Sequence, residues 1–126
     1  MSIVDLNHCN LVVPRAQLAG LVAFYVDALG FEYREFERDG RRLYWLYAQQ
    51  RPLLHLTVTD DGAVAHGPTA RIDHIAFSAR DLDATCARLA QLGLEHRVKP
   101  YAQMGFTQVV VHDPIGLKVE LNFAAE

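Results

Sequence analysis

Apolar residues recur along this chain with two periods. Residues 6–13 form a short, half-apolar stretch closed by Pro14, which predicts a strand. From Arg15 the period lengthens. Leu18, Leu21, Val22, Tyr25 and Leu29 fall on one face at helical spacing, predicting a helix over 15–29. Pro14 suits its first turn, and Gly30 can take the left-handed conformation that ends it. Residues 31–37 and 42–48 read as strands around a turn at Asp39-Gly40, and 53–58 as a third strand after Pro52. The predicted order is βαβββ.

Residues 61–70 are polar and carry Gly and Pro, the composition of a linker. Beyond them the same pattern restarts. Residues 72–77 read as a strand, and Asp81 stands where it can cap a helix carrying Leu82, Cys86, Leu89 and Leu92 and ended by Gly93. Strands are predicted over 94–98, 107–112 and 117–123, the last two joined by a turn at 113–116. Landmarks of the two halves align at a nearly constant offset of about 65 residues: His8 with His74, Gly30 with Gly93, His55 with Glu120. The chain is therefore read as one α+β domain over 1–126, made of two βαβββ repeats at about 4–60 and 71–124. Each repeat alone would expose an apolar sheet face, so each needs a partner, and the remaining edges point to a homodimer.

Composition narrows the function classes. With 126 residues, 51% hydrophobic and 21% charged, the chain suits one globular domain. A net charge of −3 and the lack of a basic run along the sequence argue against nucleic acid. The longest apolar run, 18–26, is too short to span a membrane and lacks the flanks of a signal peptide. Two cysteines make no disulfide framework, which fits a reducing cytoplasm.

The repeat also aligns chemistry. The first strand of each unit carries a histidine, His8 or His74, and the last carries His55 or Glu120. All four are side-chain types that bind divalent metals. An ionised Glu120 between Val119 and Leu121 needs a partner, and Lys118 and Asn122 share its strand side at period two. Each residue taken alone has a plainer reading: a hydrogen-bonded structural histidine, or a Glu120–Lys118 pair on a solvated face. Cys9 and Cys86 read as core, His66 as loop, and His96 and His112 as surface. Trp45 with Tyr44 and Tyr47 makes an aromatic strand that either lines a pocket or packs the sheet.

The sequence resembles the vicinal oxygen chelate superfamily, which includes glyoxalase I, extradiol dioxygenases and bleomycin-binding proteins. The likeness rests on Leu6-Asn7-His8, on Phe24-Tyr25-Val26-Asp27-Ala28-Leu29-Gly30-Phe31, on Asp73-His74-Ile75-Ala76-Phe77, and on the closing stretch from Asp113-Pro114-Ile115-Gly116 to Glu120-Leu121. It implies two βαβββ modules forming a half-open barrel around one divalent metal: zinc, nickel, cobalt, iron or manganese. It also implies His8, His74 and Glu120 as ligands, with His55 in the fourth position. Val12 and Thr59 stand where glyoxalase I carries an arginine and an asparagine, which weakens the case for glutathione.

Coordination arithmetic separates the activities such a site could have. Four protein ligands leave two positions of six, enough for one small substrate bearing adjacent oxygens. That is the requirement of a glyoxalase-like lyase or isomerase, with Glu120 as base. Three ligands, His8, His74 and Glu120, leave room for a catecholate and dioxygen, as in a ring-cleaving extradiol dioxygenase. No metal at all would leave a drug-binding protein using the aromatic strand. In each case the partner is a small molecule, and Asn10, Trp45, Thr57, Lys118 and Asn122 are the expected pocket residues.

Overall fold

Pro14 marks the change from strand to helix in the computed structural model, which describes residues 6–60 and 74–125. The chain divides into two compact units, 1–65 and 66–126. In the first, β1 (Cys9–Pro14) leads into α1 (Arg15–Ala23), followed by β2 (Glu32–Arg38), β3 (Arg41–Ala48) and β4 (Arg51–Thr59). The sheet order is β1-β4-β3-β2, with β1 parallel to β4 and the other pairs antiparallel. The second unit repeats this arrangement with β5 (His74–Ala79), α2 (Leu82–Gln91), β6 (His96–Tyr101), β7 (Phe106–His112) and β8 (Lys118–Ala124), in sheet order β5-β8-β7-β6. The fold class is α+β, as the periodicities predict, and neither sheet closes on itself. The linker expected over 61–70, with His66, and residues 71–73 lie outside the described residues.

Burial follows the period of two. In the first unit Val13, Leu21, Tyr25, Leu46 and Leu54 are fully buried, where α1 lies against β1 and β4. In the second, Val109, Val111, Val119 and the α2 residue Leu89 are buried, and Leu121 and Phe123 nearly so. The residues between them point to the other side of each sheet. There β4 presents His55 and Thr57, and β8 presents Lys118, Glu120 and Asn122. One side of each sheet is thus apolar core, and the other carries the polar chemistry.

Three local expectations are corrected. The helix predicted over 15–29 is α-helical only to Ala23, and Phe24–Ala28 widens into a π turn. The wider turn buries Phe24, Tyr25 and Ala28 together, and the Phe31 amide donates to the Tyr25 carbonyl at 2.9 Å. The strand predicted from residue 6 begins at Cys9, where its ladder with Leu54 opens, so His8 precedes the strand. Asp81 does precede α2, but at φ 66° its side chain makes no capping bond. Asp tolerates this left-handed backbone better than most residues. At the far end of α2 the Gly93 amide donates to the Ala90 carbonyl and the Leu94 amide to that of Leu89, the pattern of a glycine stop.

Candidate functional site

Ladder register builds the polar side of the first unit. Asn10 lies beside His55, and His55 beside Trp45, so side chains from three adjacent strands form a row across the sheet. Strands in a sheet stand about 4.8 Å apart, a spacing that flat rings can close by leaning together. They do so. The ring centroids of His8 and His55 are 3.9 Å apart with planes at 13°, and those of His55 and Trp45 are 4.1 Å apart at 9°. The Arg38 guanidinium continues the column 5.3 Å from the Trp45 ring centroid, and Phe36 meets that ring edge-on. Asn10 and Thr57 exchange side-chain hydrogen bonds at 3.0 and 3.2 Å beside the stack.

The two imidazoles are held differently. His8 is exposed, and its Nδ1 is 2.8 Å from Asn7 Oδ1. An amide oxygen only accepts, so this contact suits the tautomer with the hydrogen on Nδ1 and the lone pair on Nε2. His55 Nε2 is buried with no hydrogen-bond partner. Burial, then the neighbouring charges of His8 and Arg38, push the His55 pKa below the usual imidazole value, against the opposing pull of the Pro52 carbonyl.

The polar side of the second unit centres on Glu120, whose side chain is 12% exposed. Its Oε1 accepts a hydrogen bond from Gln108 Nε2 at 3.1 Å and lies 3.3 Å from His74 Nε2, while Lys118 Nζ stands 3.7 Å from Oε2. Gln108 also donates to Asn122 Oδ1 at 3.1 Å. One buried amide therefore fixes two neighbours on β8. The buried Asp113 sets the start of that strand, since its Oδ1 accepts from the amides of Ile115 and Leu117 at 3.0 and 2.9 Å.

The expected site residues thus gather in two sets. His8, His55, Asn10, Trp45 and Thr57 stand together in the first unit, and His74, Glu120, Lys118 and Asn122 in the second. Among the described residues, no three His, Cys, Asp or Glu side chains form a metal-binding group; His8 and His55 stand in contact in the first unit, and His74 and Glu120 in the second. Gln108 was missed by sequence reasoning, although a lone amide beginning the Gln108-Val109-Val110-Val111 run was a signal. His96 and His112, expected at the surface, line a cleft of about 900 Å³ in the second unit, and His96 is half-buried with Nδ1 2.9 Å from the Leu94 carbonyl. Of the aromatic strand, Tyr44 is buried, Trp45 and Tyr47 are in contact at 6.3 Å between ring centroids, and Tyr44 and Trp45 both border a cleft of the first unit. Cys9 and Cys86 are half-buried, and burial, with the nearby Asp83, pushes the Cys86 thiol up, away from nucleophilic use.

Comparison with known proteins agrees with this architecture. The sequence matches the Glyoxalase/Bleomycin resistance protein/Dioxygenase superfamily over residues 5–121. A glyoxalase family protein from Bacillus anthracis is similar in fold, with a TM-score of 0.74 at 21% identity over 98% of each chain. A glyoxylase/bleomycin resistance protein/dioxygenase domain from Frankia gives 0.76 at 18% identity, covering 99% of this chain and 95% of that one. A lactoylglutathione lyase from Agrobacterium tumefaciens gives 0.61 at 21% identity over 90% of each chain. A search of curated proteins found no match. Among the described residues no helix is long and apolar enough to cross a membrane.

Proposed function

The chain belongs to the Glyoxalase/Bleomycin resistance protein/Dioxygenase superfamily, and from that premise we propose a divalent-metal-dependent lyase or isomerase acting on a small substrate with two adjacent oxygens. The observation that carries this reading is the His74–Glu120 pair. Its donor atoms are 3.3 Å apart, the separation of neighbouring ligands around an ion bound at about 2.1 Å. His8 and His55 supply the corresponding pair in the first unit. His55 Nε2 is buried without a hydrogen-bonded partner, a cost that a cation would remove.

Imidazole and carboxylate donors suit zinc, nickel, cobalt, iron or manganese, so His8, His55, His74 and Glu120 would hold the ion. One adjustment is needed. Rings stacked within 13° carry their in-plane lone pairs side by side, so His8 or His55 must turn before both address one centre. A bound ion would supply Lewis acidity to the substrate oxygens, stabilising the negative charge that develops there.

The remaining steps belong to the chain. Glu120, the one carboxylate of the set, would have to give up part of its hold on the ion to take the proton from the carbon beside the substrate carbonyl and return it to the neighbouring position. Gln108 and Lys118 hold its two oxygens in place, so the base does not swing out of reach. Asn10 and Thr57 offer amide and hydroxyl groups to orient the substrate, with Trp45 and His55 forming one wall.

Metal content tests the reading. Elemental analysis of protein loaded separately with each candidate ion should give about one ion per chain, and far less in His74→Ala. Wild-type protein that retains none would end the proposal. Oxygen uptake with catechols on Fe(II)-loaded protein would replace the lyase by a ring-cleaving dioxygenase.

A further inference from the structure

The chain carries 15 acidic and 12 basic side chains, yet the cleft of about 470 Å³ in its first unit has Arg15, Arg38, Arg41 and Arg42 on its walls and, among the described residues, no Asp or Glu. Arg38, Arg41 and Arg42 sit within five residues around the Asp39-Gly40 turn, and folding adds Arg15 to them. The β3–β4 ladder ends at Tyr44 opposite Leu56, and beyond it residues 41–43 and 57–58 flank the cleft. His55, Thr57 and Asn10 line the same space, so it adjoins the proposed substrate site.

Two of the four arginines are already engaged. Arg15 is bonded to Asp60, and Arg42 stands 3.8 and 3.7 Å from oxygens of Glu35 and Glu37. Arg38 and Arg41 have no carboxylate partner among the described residues. They also lie directly opposite one another in the β2–β3 ladder, as the pair that closes the Asp39-Gly40 turn. Like charges placed so destabilise an antiparallel pair, and a guanidinium does not deprotonate to escape the repulsion. The Trp45 ring offers Arg38 some compensation. Among the described residues no ring lies under Arg41. The cleft in the second unit shows the same bias: Arg97, Lys99 and Lys118 line it, with Glu95 its one acidic lining residue among those described.

We propose that the first cleft binds an oxyanion, a carboxylate or phosphate group of a small molecule, between Arg38 and Arg41. The substrate of the adjoining site is accordingly an anion. That last step rests on the function proposed above; the binding itself does not. Planar guanidinium forks match both oxyanions, and an anion between them converts a repulsive pair into two charge-assisted contacts.

The test uses the metal-free full chain, labelled with ¹⁵N and titrated at constant ionic strength with inorganic phosphate, with acetate, and with neutral acetamide. Saturable shifts are expected at the Nε–H resonances of Arg38 and Arg41 and at the Trp45 indole. Arg41→Gln should weaken anion binding by about tenfold or more, and acetamide should not saturate. The tighter of the two anions identifies the head group. Thermal melting gives an independent reading: phosphate raises the Tm of wild type but not of Arg41→Gln. The proposal is overturned by an absence of saturable shifts with both anions, by equal affinity in Arg41→Gln, or by acetamide binding as tightly as acetate. No metal or turnover enters, so failure here leaves the metal reading standing, and failure to bind metal leaves the anion site standing.

Discussion

His8 and His55 stack face to face, 3.9 Å between ring centroids, and the far side of His55 lies flat on Trp45. Trp45 is the one tryptophan of the chain, so the stack reports on itself. A paramagnetic ion taken up by His55 arrives within a few ångströms of the indole. Co(II) or Ni(II) should therefore quench most of the Trp45 emission in wild type. In His55→Ala the quenching should need at least about tenfold more metal, as loss of a ligand or its support costs in other sites. Identical quenching curves in the two proteins would remove His55 from the ligand set.

The depressed pKa of His55 makes metal-free stability depend on pH. In the unfolded chain this imidazole titrates at its ordinary value of 6.5; in the fold it takes its proton only at lower pH. Between those two points the unfolded state holds more protons, so stability falls as pH is lowered through that window and levels off below the folded pKa. Urea midpoints measured from neutral pH downwards should drop over this range. His55→Gln should drop less, the difference isolating this ring from the other histidines. Parallel curves would mean that His55 titrates alike in both states.

Gln108 ties the chemistry of β8 to its packing. Its single amide satisfies Glu120 and Asn122 from a nearly buried position. Gln108→Leu should cost about 1–2 kcal/mol in urea unfolding, from the loss of the donor shared by two half-buried acceptors. It should also slow turnover by releasing Glu120, while Glu120→Gln should abolish most turnover and keep much of the metal. The two variants separate positioning from proton transfer: with Gln108→Leu the base is misplaced yet present, so part of the rate survives. Full activity in Glu120→Gln would sink its role as base.

Much of the fold was legible because its punctuation is local. Pro14, Gly30 and Gly93 stand where helices start or stop, and the Asp39-Gly40 turn has both residues at positive φ. The four candidate residues were singled out because the repeat aligned them, and strand alternation keeps His55 and Glu120 off the core side. What escaped depends on partners distant in sequence. Gln108 acquires meaning only through its register with Asn122, and the Arg38–Arg41 pair, local to the predicted hairpin, only through the cleft it shares with Asn10, His55 and Thr57. The π turn escaped for another reason: Phe24, Tyr25 and Ala28 satisfy a helical period as well as the wider one, so hydrophobic spacing alone does not distinguish them. Asp81 shows the converse, a capping residue type whose backbone turns its carboxylate away.

Asp113 offers a prediction free of any assumption about activity. Its carboxylate is 4% exposed and one oxygen receives two amides, from Ile115 and Leu117, across the turn into β8. Gly116 completes the turn at φ 94°, a conformation closed to most side chains. Removing the acceptor leaves two amides unsatisfied at the point that sets the register of Lys118 and Glu120. Asp113→Ala should therefore destabilise by about 2–3 kcal/mol, while Asp113→Asn, which keeps an oxygen acceptor without the charge, should lose roughly half as much. Urea unfolding of the three proteins checks the order. An alanine variant as stable as wild type would show that the turn is held by Gly116 and the β7–β8 ladder alone.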